Sequence, residues 1–369
     1  MRFLTADYLY PLHVSPLKEG VLQISDQGQI IAIYPDRNIV PRDKLEFFEG
    51  VLCPGFVNAH CHLELSHLFR AIDQGKGLLN FISAVKKRNN FDQENILASI
   101  ESAEQQMIKN GIVGVGDICN TGDTIFQKKL RNLQYYNFIE VFGVQDVNAN
   151  KIIANAIDLR DQFRTSGLKS TISPHAPYSV PKKLLKKIVK NFDENDNLLT
   201  IHIEETFQEN ELFKNKAGDF FHWLKGLNAS PSIWEDRHKS TDILKEFQGK
   251  RALLVHNIFA KEDSISSDYY CTCPKANLYI ENRLPNYSIF NPDKLCVGTD
   301  SLASNDSLSI LEELRIIKEN SNFDLNTLLK ISSKNGAEVF GFTDLGTFEK
   351  GKIPGVNLIS DLSSIKIIA

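Results

Sequence analysis

No two of the six cysteines form a CxxC pair; Cys53, Cys61, Cys119, Cys271, Cys273 and Cys296 are scattered, several of them in strand-like runs. That distribution fits reduced, buried thiols, so a cytoplasmic protein is expected. Neither sign of charge dominates: 42 Lys and Arg against 46 Asp and Glu give a net charge of −4, with the two signs interspersed. This balance argues against a nucleic-acid surface. No apolar run is long enough to span a membrane. The opening residues Met1-Arg2-Phe3-Leu4-Thr5-Ala6-Asp7 lack the apolar core of a signal peptide. No internal repeat or low-complexity tract stands out.

What is present is an alternating pattern. The chain has 369 residues, of which 42% are hydrophobic, enough for one large α/β unit with a minor domain. Residues 1–49 read as short strands; Val21–Ile24 and Ile30–Tyr34 flank the turn-prone Ser25-Asp26-Gln27-Gly28, a hairpin signal. Eight candidate strands follow: Val51–His62, Val113–Cys119, Tyr136–Val144, Ser170–Pro174, Leu198–Ile203, Ala252–His256, Tyr269–Cys273 and Leu295–Thr299. Between several of them lie helical patterns. Ile96, Leu97, Ile100, Ala103, Met107 and Ile108 recur at helical spacing and Gly111 can stop that helix. Pro181 can occupy a first helical turn ahead of the stripe Leu184, Leu185, Ile188, Val189 and Phe192.

Strands alternating with helices predict a parallel sheet, and eight units predict an α/β fold of the (β/α)8 TIM-barrel type. A doubly wound open sheet is the alternative. The strand-like tail from Leu345 to Ile359 could complete the N-terminal sheet. The expected organisation is a small domain from residues 1–50 and 345–369 beside a barrel of residues 51–344. The segment 206–250 holds both tryptophans, Trp223 and Trp234, with Phe220 and Phe221. It reads equally as a lid or as a helical hairpin packing its own aromatics.

The chemistry-bearing residues fall at strand ends, where barrels of this type carry function. Strand one ends in His60-Cys61-His62, and alternation along a strand turns both histidines to one side and Cys61 to the other. His175 follows strand four, His202 stands in strand five, His256 ends strand six and Asp300 follows strand eight. Each alone has a bland reading: a hydrogen-bonded core histidine, or an aspartate in a turn. His13, His67, His222 and His238 lie in less regular segments and read as solvent-facing or structural. Five strand ends converging by chance is the less economical explanation. Imidazoles and a carboxylate brought together suit a divalent metal.

The run Pro54-Gly55-Phe56-Val57-Asn58-Ala59-His60-Cys61-His62-Leu63-Glu64 resembles the amidohydrolase superfamily. So do His202 with Glu205 three residues on, His256, Gly298-Thr299-Asp300, Asn335-Gly336-Ala337, and Leu345-Gly346 with Gly351-Lys352. The spacing is most similar to the aminohydrolase and chlorohydrolase branch, which includes aminofutalosine, S-adenosylhomocysteine and guanine deaminases. One departure is the segment Gly351-Lys352-Ile353-Pro354-Gly355-Val356-Asn357, which lacks the family's usual Ala-Asp.

The resemblance implies a barrel beside a small β-sandwich built from both chain ends. It also implies one Zn²⁺ or Fe²⁺ held by His60, His62, His202 and Asp300, with no bridging carboxylated lysine. The expected reaction is hydrolytic deamination of an amino-substituted heterocycle (purine, purine nucleoside or pyrimidine). Asp300 would take a proton from water, His256 would orient that water, and Glu205 would protonate the ring nitrogen. His175, Glu64 and Asn277 are the candidate substrate contacts, Glu64 equally readable as a supporting partner and Asn277 as a turn residue. Aromatic side chains exposed in 220–234 could stack on a planar base or serve a homodimer. Dechlorination of a triazine-like ring, cleavage of a cyclic amide, and a non-catalytic barrel scaffold are the alternatives.

Overall fold

A computed structural model describes residues 1–192, 198–266 and 268–369. Two four-stranded parallel sheets form its centre. The first contains β1 (Phe56–Cys61), β2 (Ile112–Cys119), β3 (Gln134–Val141) and β4 (Ser170–Pro174), ordered β4-β3-β2-β1. The second contains β5 (Leu198–Ile203), β6 (Arg251–His256), β7 (Tyr269–Thr272) and β8 (Leu295–Val297) in sequential order.

The sheets meet along both edges. At one seam His202 N donates to His175 O (2.9 Å) and Thr171 Oγ1 to Leu198 O (3.2 Å). At the other, the amides of Thr299 and Asp300 donate to His60 O at 3.1 and 3.0 Å. Gly298 permits this second approach. A Cβ there would stand 2.6 Å from His60 N and 2.7 Å from His60 O, distances only glycine tolerates.

The run expected as one strand, Val51–His62, is two. Val51–Pro54 pairs antiparallel with Val356–Ser360 and parallel with Tyr8–Leu9, and only the part after Gly55 enters the parallel sheet. The apolar character is continuous across the break; the division is made by Gly55, where a Cβ would lie 2.5 Å from Val113 Cγ1 and 2.7 Å from Pro354 O. Val51–Pro54 thus joins the first of two small sheets made by the chain ends, in the order Ser364–Ile367, Val356–Ser360, Val51–Pro54, Tyr8–Leu9, Leu17–Lys18. The other is ordered Ile30–Tyr34, Val21–Ile24, Arg2–Thr5, Leu45–Phe47, and contains the expected hairpin. Leu4, Leu9, Leu22, Ile24, Leu52, Phe348 and Val356 pack in one buried cluster there.

The helices follow their sequence logic. Residues Gln93–Lys109 form a helix capped by Asp92, whose side chain accepts from Asn95 N at 2.8 Å; Ile100, Ala103 and Met107 face the core. It stops at Asn110, with Gly111 in the left-handed region (φ 71°). In Lys182–Lys190, Leu184, Leu185 and Ile188 are buried; Pro181 is the cap before this helix, not its first turn. Among the described residues no helix is long and apolar enough to cross a membrane. All six cysteines are buried and unbridged.

The segment 206–250 contains the helices Phe207–Asn215 and Gly218–Gly226. Phe213, Phe220, Leu224, Ile233 and Trp234 pack together beneath it. Phe220 is fully buried and Trp234 nearly so, which removes them as a surface for a second copy of the chain. The helical hairpin packs its own aromatics, as one of the two expectations had it.

Candidate active site

β1 departs from regular pairing where it carries the first histidines. Asn58 pairs with Val115 and Cys61 with Asp117, so three steps on β1 face two on β2, a bulge that re-aims side chains. His60 and His62 turn to the same side, their ring centroids 4.9 Å apart. Cys61 turns into the surrounding apolar core, and burial there pushes its thiol well above the usual range. A neutral, inward-packed thiol is not a ligand.

His202, from β5, completes a compact group. Its Nε2 lies 3.2 Å from His62 Nε2, and its ring centroid is 4.9 Å from that of His60. Asp300 Oδ1 lies 3.6 Å from His60 Nε2 and 3.5 Å from His62 Nε2. Ser304 Oγ donates to the other carboxylate oxygen at 2.7 Å. His256 and Asp300 reach the site with backbone in the left-handed region, φ 74° and 57°. Such conformations cost roughly 1–3 kcal/mol each for non-glycine residues and concentrate at functional sites.

The donor set fits a divalent metal. Neither ring nitrogen of His60, a residue 1% exposed, has a hydrogen-bond partner among the described residues. Burial drives two neighbouring imidazoles toward the neutral form: His62 falls to about 3 and His202 drops well below its usual value. Burial disfavours the Asp300 carboxylate, but the His60, His62 and His256 rings outweigh that and hold it below the ordinary range. Ligand atoms about 2.1 Å from a tetrahedral centre stand about 3.4 Å from one another, which matches the 3.2–3.6 Å separations above. His60, His62 and His202 form one grouping capable of holding an ion; Glu140, His175 and His202 form another.

Beside the group, Glu205 Oε1 lies 3.5 Å from His256 Nε2. Burial, then the negative charges of Asp300, Glu281 and Glu140, push the Glu205 carboxyl well above the usual range, which favours its protonated form. Its amide N donates to Glu209 Oε2 at 3.1 Å. His256 Nδ1 donates to Asn277 Oδ1 at 2.8 Å, leaving Nε2 directed at Glu205.

A cavity of about 450 Å³ opens over these groups. His62, His202, Glu205, His256 and Asp300 line it, with His175, whose Nδ1 pairs with Ser179 Oγ at 2.7 Å. Leu78, Phe81, Ile82, Phe142, Trp223 and Leu227 give it an apolar wall.

Two expected substrate contacts are placed elsewhere. Glu64 is absent from the cavity wall; its Oε2 accepts from Asn120 N, Thr121 N and Thr121 Oγ1 at 2.9–3.0 Å, and Oε1 faces Arg88. Asn277 is also absent from the wall; it stands in the helix Pro274–Glu281, not in a turn, and serves His256. Of the aromatics in 220–234, Trp223 alone lines the cavity.

Sequence reasoning missed Glu140, at the end of β3. Its Oε1 lies 3.5 Å from His202 Nδ1, its Oε2 accepts from Asn120 Nδ2 at 3.0 Å, and burial lifts its pKa to about 7. The available signal was a lone carboxylate in the otherwise apolar run Phe138-Ile139-Glu140-Val141. Ser304 was missed as well, and nothing in its local sequence marks it.

Residues 51–366 match the model of the amidohydrolase family. The chain belongs to the amidohydrolase family. This makes it a hydrolase of carbon–nitrogen bonds. It is 28% identical over 351 residues to an adenosine deaminase of Helicobacter pylori, covering 90% of this chain and 83% of that protein. It is 25% identical over 324 residues to an aminodeoxyfutalosine deaminase of Nitratiruptor, covering 84% and 79%. Among solved structures, the Helicobacter pylori aminofutalosine deaminase bound to methylthio-coformycin superposes with a TM-score of 0.79 at 25% identity, over 98% of this chain and 92% of the other. The structural match spans 98% of this chain, so this amidohydrolase is similar to that deaminase in both its parallel sheets and its terminal sheets.

Proposed function

We propose that this amidohydrolase is a mononuclear metal-dependent deaminase that replaces the amino group of an adenosine-type nucleoside by oxygen and releases ammonia. The observation that carries this reading is the convergence of His60, His62, His202 and Asp300 at ligand spacing, with Glu205 Oε1 3.5 Å from His256 Nε2 beside them. The relatives named as adenosine and aminodeoxyfutalosine deaminases support the nucleoside class.

Neutral imidazoles with one carboxylate suit Zn²⁺, with Fe²⁺ as the alternative. When bound there, a divalent metal supplies hydroxide at neutral pH by lowering the pKa of water to roughly 7. Asp300 accepts the proton that water gives up. His256, fixed by Asn277, orients the attacking oxygen through Nε2. As that oxygen bonds to the ring carbon bearing the amine, Glu205 gives its proton to the adjacent ring nitrogen. The proton held by Asp300 passes to the amino nitrogen, the carbon–nitrogen bond breaks, and ammonia leaves. Glu205 recovers its proton from the new hydroxyl, so water and amine yield carbonyl and ammonia in balance. His175 is the substrate-contacting donor from the cavity wall.

The same reading extends to architecture. The two parallel sheets, touching at both edges, form one eight-stranded (β/α)8 barrel, and the two terminal sheets form a small β-sandwich. The join lies at Gly55, since Val51–Pro54 pairs with the terminal strands. Six unbridged thiols support a reducing, cytoplasmic setting.

Glu205→Gln tests the chemistry. The variant is expected to keep its metal and lose about 10²- to 10⁴-fold in ammonia release. Full turnover by Glu205→Gln, or a wild-type chain that binds no transition metal, overturns the proposal.

A further inference from the structure

A second polar cluster lies outside the cavity, where β2 and β3 meet the helix Ile125–Lys128. Lys128 and Asp117 form an ion pair with neither side chain exposed. Lys128 Nζ also donates to Asn137 Oδ1 at 2.7 Å and lies over the rings of Tyr135 and Phe163 at 5.0 and 5.2 Å. Burial disfavours this ammonium, yet Asp117 beside it keeps it protonated. Burying two charges is expensive, and an apolar pair of similar size packs as well or better. The proposed reaction makes no use of the pair.

The second oxygen of Asp117 indicates its role. Asp117 Oδ1 accepts from Leu63 N at 2.9 Å, the amide immediately after His62. The β1–β2 ladder reaches its last register at Cys61↔Asp117, just past the bulge. From there on a carboxylate, not a strand carbonyl, holds the chain. Glu64 makes the reverse contact: from the 3-10 turn Leu63–Leu68 that follows β1, it accepts from the amides of Asn120 and Thr121, both at 2.9 Å, just after β2. Each segment therefore grips the backbone of the other through a carboxylate, and His62 lies between the last ladder register at Cys61 and these two grips at Leu63 and Glu64.

We propose that this reciprocal carboxylate clasp, Asp117 on Leu63 N and Glu64 on the amides of Asn120 and Thr121, is the positioning device that sets His62 for metal binding. Lys128 is the partner that holds the Asp117 carboxylate in place. The clasp rests on the metal reading of the site. Asp117, Lys128 and Glu64 touch neither the cavity nor the four proposed ligands' donor atoms, so they are positioning residues.

Co²⁺ is the probe, its dissociation constant read by chelator competition and its geometry by the visible spectrum. Asp117→Leu with Lys128→Met removes the acceptor and the counter-ion together, leaving no unpaired charge. Loss of a supporting partner of this kind weakens metal binding about 10- to 100-fold, and that loss is expected here with an altered spectrum. Asp117→Asn with Lys128→Met keeps an oxygen for Leu63 N and is expected to bind close to wild type. Glu64→Ala removes the other grip, tests it should the leucine variant not fold, and is expected to loosen Co²⁺ similarly. A wild-type constant and spectrum in either acceptor-free variant overturns the clasp. So does equal loosening in the asparagine variant, which would assign the effect to charge and packing. A wild-type chain that binds no Co²⁺ overturns the metal reading itself, and the clasp with it.

Discussion

His62 Nε2 and His202 Nε2 face each other at 3.2 Å, although 140 residues separate them in the chain. His62 follows β1 and His202 stands on β5, strands of different sheets. Two neutral ring nitrogens can share at most one proton, whereas a cation between them satisfies both lone pairs. Their distance therefore depends on how the sheets seat against one another, and Gly298 lies at one of the two seams that set it.

Gly298→Ala should loosen the metal and the fold together. The added Cβ would lie 2.6 Å from His60 N, so β8 must retreat from β1 and take Asp300 with it. Overpacking of this kind costs about 1–3 kcal/mol. A lowered melting temperature with metal affinity reduced at least about tenfold is expected from thermal denaturation and metal titration.

The pH profile should respond to Glu281. In the proposed reaction Glu205 acts from its protonated form, which is lost as pH rises through its raised pKa, so activity should fall on the alkaline side. The negative charge of Glu281 contributes to that rise. Glu281→Gln keeps an oxygen for Leu78 N, which Glu281 Oε1 now accepts at 2.8 Å. Removing the charge lowers the pKa of Glu205, and the alkaline limb of kcat/KM should move to lower pH by roughly half a unit. A limb that stays in place, or moves up, contradicts Glu205 as the proton donor.

Trp223→Ala should raise KM about tenfold with kcat nearly unchanged, the pattern of lost binding shared by ground and transition states. Trp223 lines the apolar wall and rests edge-on against Phe220 at 5.9 Å. Steady-state kinetics on an adenosine-type nucleoside measures both constants.

These residues differ in how visible they are in the sequence. His60 and His62 are legible because strand alternation alone puts them on one side. His202, His256 and Asp300 are legible because parallel strands end at one face and each residue marks a strand end. The break at Gly55 is not, since the run is apolar throughout and only the neighbouring Val113 and Pro354 reveal why it divides. Glu140 is hidden because its burial comes from the strands and cavity around it. Asn277 reads as a turn residue after Pro274, yet Pro274 opens a helix that carries it to His256. Within 220–234, helix phase decides that Trp223 faces the cavity while Phe220 faces inward, and four aromatics so close together do not declare that phase.

The central claim is that ammonia release depends on one metal held by His60, His62, His202 and Asp300. It is tested most directly by titrating chelator-stripped protein with Zn²⁺ while following ammonia release from an adenosine-type nucleoside. Turnover should be absent without metal and rise linearly to a plateau at one Zn²⁺ per chain. Undiminished turnover in the stripped protein, or a plateau at two Zn²⁺ per chain, would contradict it.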